Sequence, residues 1–450
     1  MAATEARPAA AYSLREQRAW YWYDWANSAY YTTVVGVLLG PYLTALARNA
    51  ADSEGFVYPF GIPVAAISVW GYAISLSVLS QVIALPVAGA LADYGRRKRR
   101  MLGVLAFTGS AATLGMFFLD QSRYQLGVAL FLIANLSFGA SIVVYNSFLP
   151  EIAAPDDRDR VSSKGWGFGY LGGGLLLALN LGLYSNAASF GISESFAVRI
   201  SLASAGIWWA SFTIIPLLGL RDRGPGKHTD PGVSPLRAAL RQLRRTLSEI
   251  RNYPQTLLFL VAYLLFNDAV QTVIAMAVQF GSEDLKMSMA DLTKAILLVQ
   301  FVAFMGALAF NVISARIGNK RALMLGLVIW TATLIYIYFA VRTVTDFFFV
   351  AGVIGLVLGG TQALSRSIFS LMIPEGREAE YFSVYELSDK GTSWLGPLLF
   401  GLALQWTHSF RIAIVSLIVF FVAGLALLVR VDVRRATIEA GNVPPQPVNH

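Results

Sequence analysis

The chain has 450 residues, of which 56% are hydrophobic and 14% are charged, and its net charge is +8. Soluble domains carry about 25% charged residues, so this composition, with a mean hydropathy of +0.57, excludes an ordinary soluble protein. The chain has no cysteine, which excludes disulfides, thiol catalysis and cysteine-ligated metals. Its basic residues lie in short loops between apolar segments, a pattern that indicates membrane topology and not a nucleic-acid partner.

Twelve apolar segments of membrane-spanning length follow one another along the chain. A helix needs about 20 residues to cross about 30 Å of hydrocarbon. The first six segments lie near 19–46, 67–92, 100–119, 124–150, 164–187 and 198–220. The remaining six lie near 255–280, 290–316, 321–341, 344–372, 383–407 and 410–430. We therefore predict an all-α integral membrane protein with 12 transmembrane helices, divided into halves at 19–220 and 255–430.

Lysine and arginine are distributed unevenly between the two sides of these predicted spans. If the N-terminal tail, 1–18, lies in the cytoplasm, the cytoplasmic segments hold 26 of these residues and the outer loops hold 7. This bias predicts that both termini are cytoplasmic. The C-terminal tail, 431–450, is rich in proline after Arg435 and is expected to be disordered.

A cytoplasmic linker, 221–254, joins the two halves. It begins with a stretch rich in glycine and proline and continues with a segment of helical periodicity. The apolar stripe of that segment consists of Leu236, Leu240, Leu243, Leu247 and Ile250. With arginines around the remaining faces, it predicts an amphipathic helix on the inner leaflet.

Short matches in the same order indicate that the second half repeats the first. The matched pairs are Pro150-Glu151 with Pro374-Glu375, Lys164-Gly165 with Lys390-Gly391, and Asn27-Ser28-Ala29 with Asn267-Asp268-Ala269. Spans 1, 4 and 5 thereby correspond to spans 7, 10 and 11. Two related six-helix halves are typical of transporters in which one half moves against the other around a site between them.

The loop after span 2, GALADYGRRKRRML, resembles the signature loop of the major facilitator superfamily. The resemblance implies the major facilitator fold and an inner gate in which Asp93 accepts from Arg97 and faces the N-terminal end of span 11. Gly89 permits close helix approach and Gly95 supplies a turn. Compared with the signature loop, this sequence has one residue fewer between Asp93 and Gly95. The second half lacks the motif, so the charged contact that closes the inner gate is expected only in the first half.

The first span, YWYDWANSAYYTTV, together with the segment from Tyr145 to Gly174 and the segment GGTQALSRSIFSLMIPE, resembles the vacuole effluxer-like family. These proteins are the autophagy-related permeases and their bacterial relatives within the same superfamily. The resemblance covers nearly the whole chain. It implies transport of amino acids or similar small polar solutes.

Ionisable groups inside the spans are the candidate substrate and coupling residues, because a charge at mid-membrane is costly. Asp268 lies near the middle of span 7 with Asn267 and Gln271 beside it. It is predicted to be an unpaired carboxylate that carries a proton or, alternatively, contacts the amino group of a zwitterionic substrate. In span 1, Asp24 is placed only about 6 Å inside the membrane, where it caps the helix or lines the inner gate.

Further polar candidates lie deeper in span 1, where Asn27 and Tyr31 continue nearly the same face, and at the end of span 4, where Asn146 lies. All three are assigned to the substrate path.

A second charged group lies in spans 10 and 11, where Arg366, Glu386, Asp389 and Lys390 fall at similar depths. Glu386 and Lys390 share a helix face because they are four residues apart. Three interpretations stay open for the set: a network that breaks and reforms at the inner gate, a static cluster, or an Arg366 that binds a substrate carboxylate.

These features, together with the family resemblance, favour a transporter that moves a small zwitterion, such as an amino acid, by symport with H⁺ or Na⁺. No nucleotide-binding loop is present, so an ion gradient is the expected energy source. A cation-coupled sugar carrier and a lipid-handling or accessory membrane protein on the same fold are the alternatives. No zinc-type His-Glu spacing or nucleophile elbow occurs, so we predict no enzymatic activity and no cofactor. We expect a monomer.

Overall fold

Helices make up nearly all of the part of the chain that the computed structural model describes, namely residues 12–94, 97–121, 123–223, 241, 244, 249–390, 395–407 and 409–444. Before the linker the helices are α1 Leu14–Ala29, α2 Leu39–Ala50, α3 Val69–Tyr94, α4 Lys98–Gly115, α5 Tyr124–Asn146, α6 Leu149–Ile152, α7 Arg158–Ser185 and α8 Glu194–Gly219. After it they are α9 Pro254–Glu283, α10 Met289–Ile317, α11 Asn319–Ala340, α12 Val344–Leu371, α13 Glu378–Lys390, α14 Leu395–Thr407, α15 Phe410–Ser416, α16 Ile418–Arg430 and α17 Val433–Glu439. A small hairpin pairs β1 Phe56–Val57 antiparallel with β2 Val64–Ala65.

Eleven helical segments in the described residues are long and apolar enough to cross a membrane, and they coincide with eleven of the predicted spans. The remaining prediction, 383–407, falls on α13 and α14, which flank residues outside the described part of the chain. The predicted amphipathic helix of the linker also lies almost wholly outside the described residues. The all-helical, multi-span fold class is confirmed.

The first span contains a π-helical segment, Tyr30–Leu38, between α1 and α2. In this segment the Leu39 amide donates to the carbonyl oxygen of Val34, five residues earlier. Pro41 has no N–H to donate to the Val37 carbonyl, which weakens regular α-helical bonding here. π-helical turns are rare and occur often at functional sites. Hydrophobic periodicity gives no sign of this segment.

The first helix begins at Leu14, five residues before the predicted start of span 1 near residue 19. Glu16 and Gln17 are each only 2% exposed. Gln17 donates from its side-chain amide to the Ile152 carbonyl at 2.9 Å, and Glu16 forms an ion pair with Arg223. These partners satisfy the polar side chains inside the protein, so the helix continues through them.

The expectation of a disordered C-terminal tail is wrong for the residues up to 444. Helix α17 follows α16 closely, and the side-chain amide of Asn442 donates to the carbonyl oxygens of Leu371 and Ile373, at 2.9 Å and 2.7 Å. These carbonyls lie at the C-terminal end of α12, where backbone acceptors lack partners within the helix. The tail therefore caps α12.

The first and last described residues, 12 and 444, lie at one face of the helix bundle. The tail and the loops on this face contact one another, as in the 2.8 Å hydrogen bond from the Asp432 amide to the Gln255 side chain. We call it the basic face and define it by residues 13–18, 97–100, 151–160, 219–223, 251–255, 316–321, 371–378 and 430–442.

Buried apolar side chains form two clusters, which correspond to the two parts of the chain. One runs from Trp20 to Leu220 and the other from Phe259 to Ala436. Ala379, near the start of α13, belongs to the first cluster although it lies in the second part of the chain. Helix α13 therefore packs into the first cluster at the basic face.

Close contact between α10 and α12 depends on glycine, and we expect Gly359→Ala to lower the free energy of unfolding by about 1–3 kcal/mol, the usual cost of overpacking. A Cβ at Gly359 would lie 2.0 Å from the Ala303 carbonyl oxygen, which is backbone and cannot rotate away. Thermal unfolding in detergent measures the effect. Gly352→Ala in the same helix is the matched control, since a Cβ there meets nothing within 4 Å. Equal melting temperatures for the two variants would contradict the packing argument.

Candidate functional site

A buried ion pair joins the two parts of the chain between α1 and α12. Arg366 Nη1 lies 3.1 Å from Asp24 Oδ2, and the side chains are 3% and 8% exposed. The hydroxyl of Tyr145 donates to the same carboxylate oxygen at 2.7 Å. Asp24 lies ten residues into α1, about 15 Å along the helix axis. We call Asp24 and Arg366 the interface ion pair.

The guanidinium of Arg366 is held by neutral groups as well as by Asp24. Its Nε donates to Ser162 Oγ at 2.9 Å and its Nη2 donates to the Ser162 carbonyl at 2.8 Å. The rings of Trp20 and Trp166 lie 4.7 Å and 5.1 Å from its central carbon. Aromatic faces attract a guanidinium, so the site stabilises this cation in several independent ways.

Glycine on α7 provides the space for the interface ion pair. A Cβ at Gly165 would lie 2.6 Å from Asp24 Oδ2 and 2.9 Å from Arg366 Nη2. At Gly169 the same atom would lie 2.7 Å from Ser28 Oγ. The glycine-rich sequence of this span thus permits polar side chains to cross between helices without displacement.

Of the predicted group Arg366, Glu386, Asp389 and Lys390, the structure describes the side chains of Arg366 and Glu386. The described partners of Arg366 lie on α1, α5 and α7, because its position on α12 faces those helices. Glu386 is reached indirectly: Asn146 accepts from Arg366 at 3.4 Å and donates to Glu386 Oε1 at 3.0 Å. The side chains of Asp389 and Lys390 lie outside the described residues.

The remaining substrate candidates of span 1 do not share one environment. Asn27 is buried, and its side-chain amide donates to the Tyr23 carbonyl of its own helix at 2.8 Å. Tyr31 is 49% exposed and stacks on Phe138, with ring centroids 5.9 Å apart. The structure therefore places Asn27 within the packing of α1 and Tyr31 at a surface.

Asp268 is buried at 2% exposure, as are its neighbour Asn267 at 3% and, in part, Gln271. The prediction of an unpaired carboxylate is wrong, because Asp268 Oδ2 accepts from the Gly396 amide at 2.5 Å. Helix α14 approaches closely here, since a Cβ at Gly396 would lie 2.0 Å from Thr272 Oγ1.

A second buried cluster closes the basic face. Lys98 Nζ lies 3.1 Å from Asp93, 2.8 Å from Glu151 and 3.4 Å from Glu378. We call these four residues the basic-face cluster. The Asp93 carboxylate also accepts from the Ala379 and Glu380 amides in the first turn of α13, at 3.0 Å and 2.7 Å. Negative charge is stabilised at a helix N-terminus.

The contact of Asp93 with span 11 is the one that the loop motif predicts, but its cationic partner is not Arg97. Arg97 is exposed and precedes α4, whereas Lys98 is the first residue of α4 and is 7% exposed. Gly95 lies outside the described residues. Gly89 lies against α13, where an added Cβ would be 2.4 Å from the Ala379 carbonyl oxygen.

Further polar contacts between α7 and α12 were not expected from the sequence. Arg158 Nη1 donates to the Ser370 carbonyl at 2.6 Å, and Ser162 Oγ donates to the Ala363 carbonyl at 2.8 Å. Ser367 donates to Asp159. These contacts lie between the basic face and the interface ion pair, so the end of the bundle at the basic face is bridged by charge and by hydrogen bonds.

Comparison with known proteins identifies the family. Residues 13–441 match the family model described as vacuole effluxer Atg22 like. The chain belongs to this family. The uncharacterized MFS-type transporter YxiO of Bacillus subtilis is 30% identical over 430 residues, covering 94% of this chain and 96% of that protein. Autophagy-related protein 22 of Yarrowia lipolytica is 28% identical, covering 85% of this chain and 78% of that protein.

Solved structures show the same fold for this Atg22-like chain. The proton:xylose symporter XylE matches with a TM-score of 0.72 at 11% identity, covering 94% of this chain and 96% of that chain. A bacterial homologue of the iron transporter ferroportin, in an outward-facing state, matches with a TM-score of 0.66 at 14% identity, covering 93% and 99%. At these identities the likeness concerns the fold alone.

The Atg22-like chain is therefore an MFS-type transporter, a multi-pass integral membrane protein and not an enzyme. The resemblance that the sequence motifs predicted is confirmed. As a transporter it acts on a small molecule in a bilayer, and the interface ion pair and the basic-face cluster are two of the groups of charged residues that join its two parts.

We expect Asp93→Asn in this transporter to weaken closure of the basic face, because the amide loses the charge that Lys98 and the α13 N-terminus stabilise. The chain lacks cysteine, so spin labels at introduced cysteines 100 and 375, both exposed, report distances across the face without background. The variant should show longer distances. Arg97→Gln is the control and should match the unmodified protein; identical distributions for all three proteins would remove Asp93 from gating.

Proposed function

We propose that this chain is a secondary active transporter that moves an amino acid, or a similar small zwitterion, by alternating access. The interface ion pair is the observation that supports this substrate class. A zwitterion presents one carboxylate and one ammonium, the complements of Arg366 and Asp24. Because its net charge is zero, it can enter a buried site that already holds one charge of each sign. A sugar offers no such complement.

The proposed cycle begins from a state that is closed at the basic face and open on the opposite side. The support is the position of the polar contacts that α1, α3, α5 and α7 make with α12 or α13, which lie toward the basic face. We place this face and both termini in the cytoplasm, since the predicted cytoplasmic segments hold 26 lysine and arginine residues and the outer loops hold 7. In a bacterial cytoplasmic membrane this state faces outward, the state named for the ferroportin homologue of similar fold.

Movement of H⁺ with the substrate is the proposed source of energy, with Asp268 as the carrier. This carboxylate is buried and contacts the backbone of α14, so a change in its charge acts directly on a contact between two helices. Burial of a carboxylate penalises its charged form unless compensating interactions hold it. Proton uptake and release are therefore linked to the movement of α14 against α9.

Reconstituted protein tests the substrate class directly. Proteoliposomes containing the transporter are expected to accumulate a ¹⁴C-labelled mixture of the twenty L-amino acids when a pH gradient is imposed, and not when the gradient is collapsed. [¹⁴C]Xylose serves as the neutral comparison and should not accumulate. Accumulation of xylose without amino acids would overturn the zwitterion assignment and favour the sugar carrier.

A further inference from the structure

The interface ion pair is built so that each of its members keeps partners when the other leaves. Asp24 retains the Tyr145 hydroxyl at 2.7 Å. Arg366 retains two donations to Ser162, at 2.9 Å and 2.8 Å, and its aromatic neighbours. Separation of the two charges therefore leaves neither of them without support.

One oxygen of Asp24 is uncommitted. Both Arg366 and Tyr145 donate to Oδ2, and Oδ1 accepts no hydrogen bond from any described residue. The side chain keeps 8% of its surface exposed. An ammonium group has three donors and no acceptor, so Oδ1 suits it well.

Helix α7 leaves no room for a solute on its side of the intact pair. Gly165 is already so close that a single added carbon would lie 2.6 Å from Asp24 and from the ring of Trp20, and 2.9 Å from Arg366. On that side, a ligand that uses both charges must therefore enter between them and not next to them. Its arrival breaks the 3.1 Å contact that ties α1 to α12.

We propose that the substrate replaces the interface ion pair, with its carboxylate on Arg366 and its ammonium on Asp24, and that this exchange releases α12 from α1. The inference rests on the proposed function and assigns its binding residues. The planar fork of Arg366 matches a carboxylate. The ring of Trp20 and the Tyr145 hydroxyl flank the two charges. The empty carrier closes again when the two side chains re-form their own pair.

Single-charge probes distinguish a binding role from a structural one. Thermal shift and calorimetric titration of purified protein use three mixtures: the twenty L-amino acids, straight-chain monocarboxylates of two to six carbons, and primary alkylamines of the same lengths. Asp24→Asn should weaken amino-acid binding by about 10- to 100-fold, the loss expected for a hydrogen bond to a charged group. The same variant should bind monocarboxylates at least as well as the unmodified protein does. Arg366→Gln should show the opposite pattern: it should bind alkylamines at least as well as the unmodified protein does and bind monocarboxylates more weakly.

Two controls separate the possible failures. Asp291→Asn removes a half-buried carboxylate that pairs with Lys294 at 3.0 Å, in the first turn of α10, and should change no affinity. If Asp24→Asn does not fold, Tyr145→Phe removes only the hydroxyl on Asp24 and should weaken amines and amino acids while sparing monocarboxylates. Equal losses for all three mixtures in the variants would overturn this inference and leave the proposed function standing. Absence of amino-acid binding by the unmodified protein would overturn the proposed function itself.

Discussion

Lys98→Gln is expected to lower the free energy of unfolding by about 3–5 kcal/mol, the usual cost of removing one partner from a buried charge cluster. Lys98 is the cation that contacts Asp93, Glu151 and Glu378, at 3.1 Å, 2.8 Å and 3.4 Å. The three carboxylates are almost fully buried, so their mutual repulsion is weakly screened once the ammonium is removed. Thermal and denaturant unfolding in detergent measure the loss. We expect the basic face to open at the same time.

A matched substitution distinguishes the effect of losing a buried charge from the effect of losing any lysine. Lys294 pairs with Asp291 at 3.0 Å but is 66% exposed, so Lys294→Gln should change stability by only about 0–1 kcal/mol. Adding Glu378→Gln to the Lys98→Gln variant should recover part of the loss, because one repelling carboxylate is removed. A Lys98→Gln variant as stable as the Lys294→Gln variant would show that the cluster does not hold the basic face.

Hydropathy was sufficient to predict the spans because the requirement for apolar length acts on each helix separately. The ends of the chain were predicted less well. Glu16 and Gln17 are polar, and they continue the first helix only because Arg223 and Ile152 supply partners from distant loops. The π-helical segment Tyr30–Leu38 depends on local backbone bonding, which a hydrophobic pattern does not record.

The sequence predicted which charged residues belong to the candidate site, but not which of them pair with one another. Asp24 and Arg366 were both recognised as charges inside spans, yet 342 positions separate them and no local pattern connects them. Asp24 lies farther along the first helix than the predicted start of span 1 implies, because that helix begins at Leu14. Whether Arg97 or Lys98 pairs with Asp93 depends on where α4 begins, because a shift of one residue turns a side chain by about 100° around a helix.

Asp268→Asn is expected to abolish uphill transport while leaving substrate exchange intact. Asparagine cannot exchange a proton, but its side-chain oxygen can still accept from the Gly396 amide, so the contact between α9 and α14 is retained. Substrate binding is assigned to Asp24 and Arg366, and exchange needs binding and movement without net proton transfer. Proteoliposomes loaded with unlabelled amino acids measure exchange, and empty proteoliposomes with an imposed pH gradient measure uphill uptake.

The two assays together decide the role of Asp268. Loss of uphill uptake with normal exchange assigns it to proton coupling. Loss of both would place it in substrate binding, where it would compete with Asp24 for the ammonium. Full gradient-driven uptake would remove it from either role. Asp291→Asn is again the control, because that carboxylate lies at the start of α10, pairs with Lys294 and should leave both assays unchanged when it is replaced. A carboxylate that links α9 to α14 is expected to act on coupling, since its protonation changes a contact between two helices. In the proposed mechanism, the interface ion pair supplies the charges that bind the substrate.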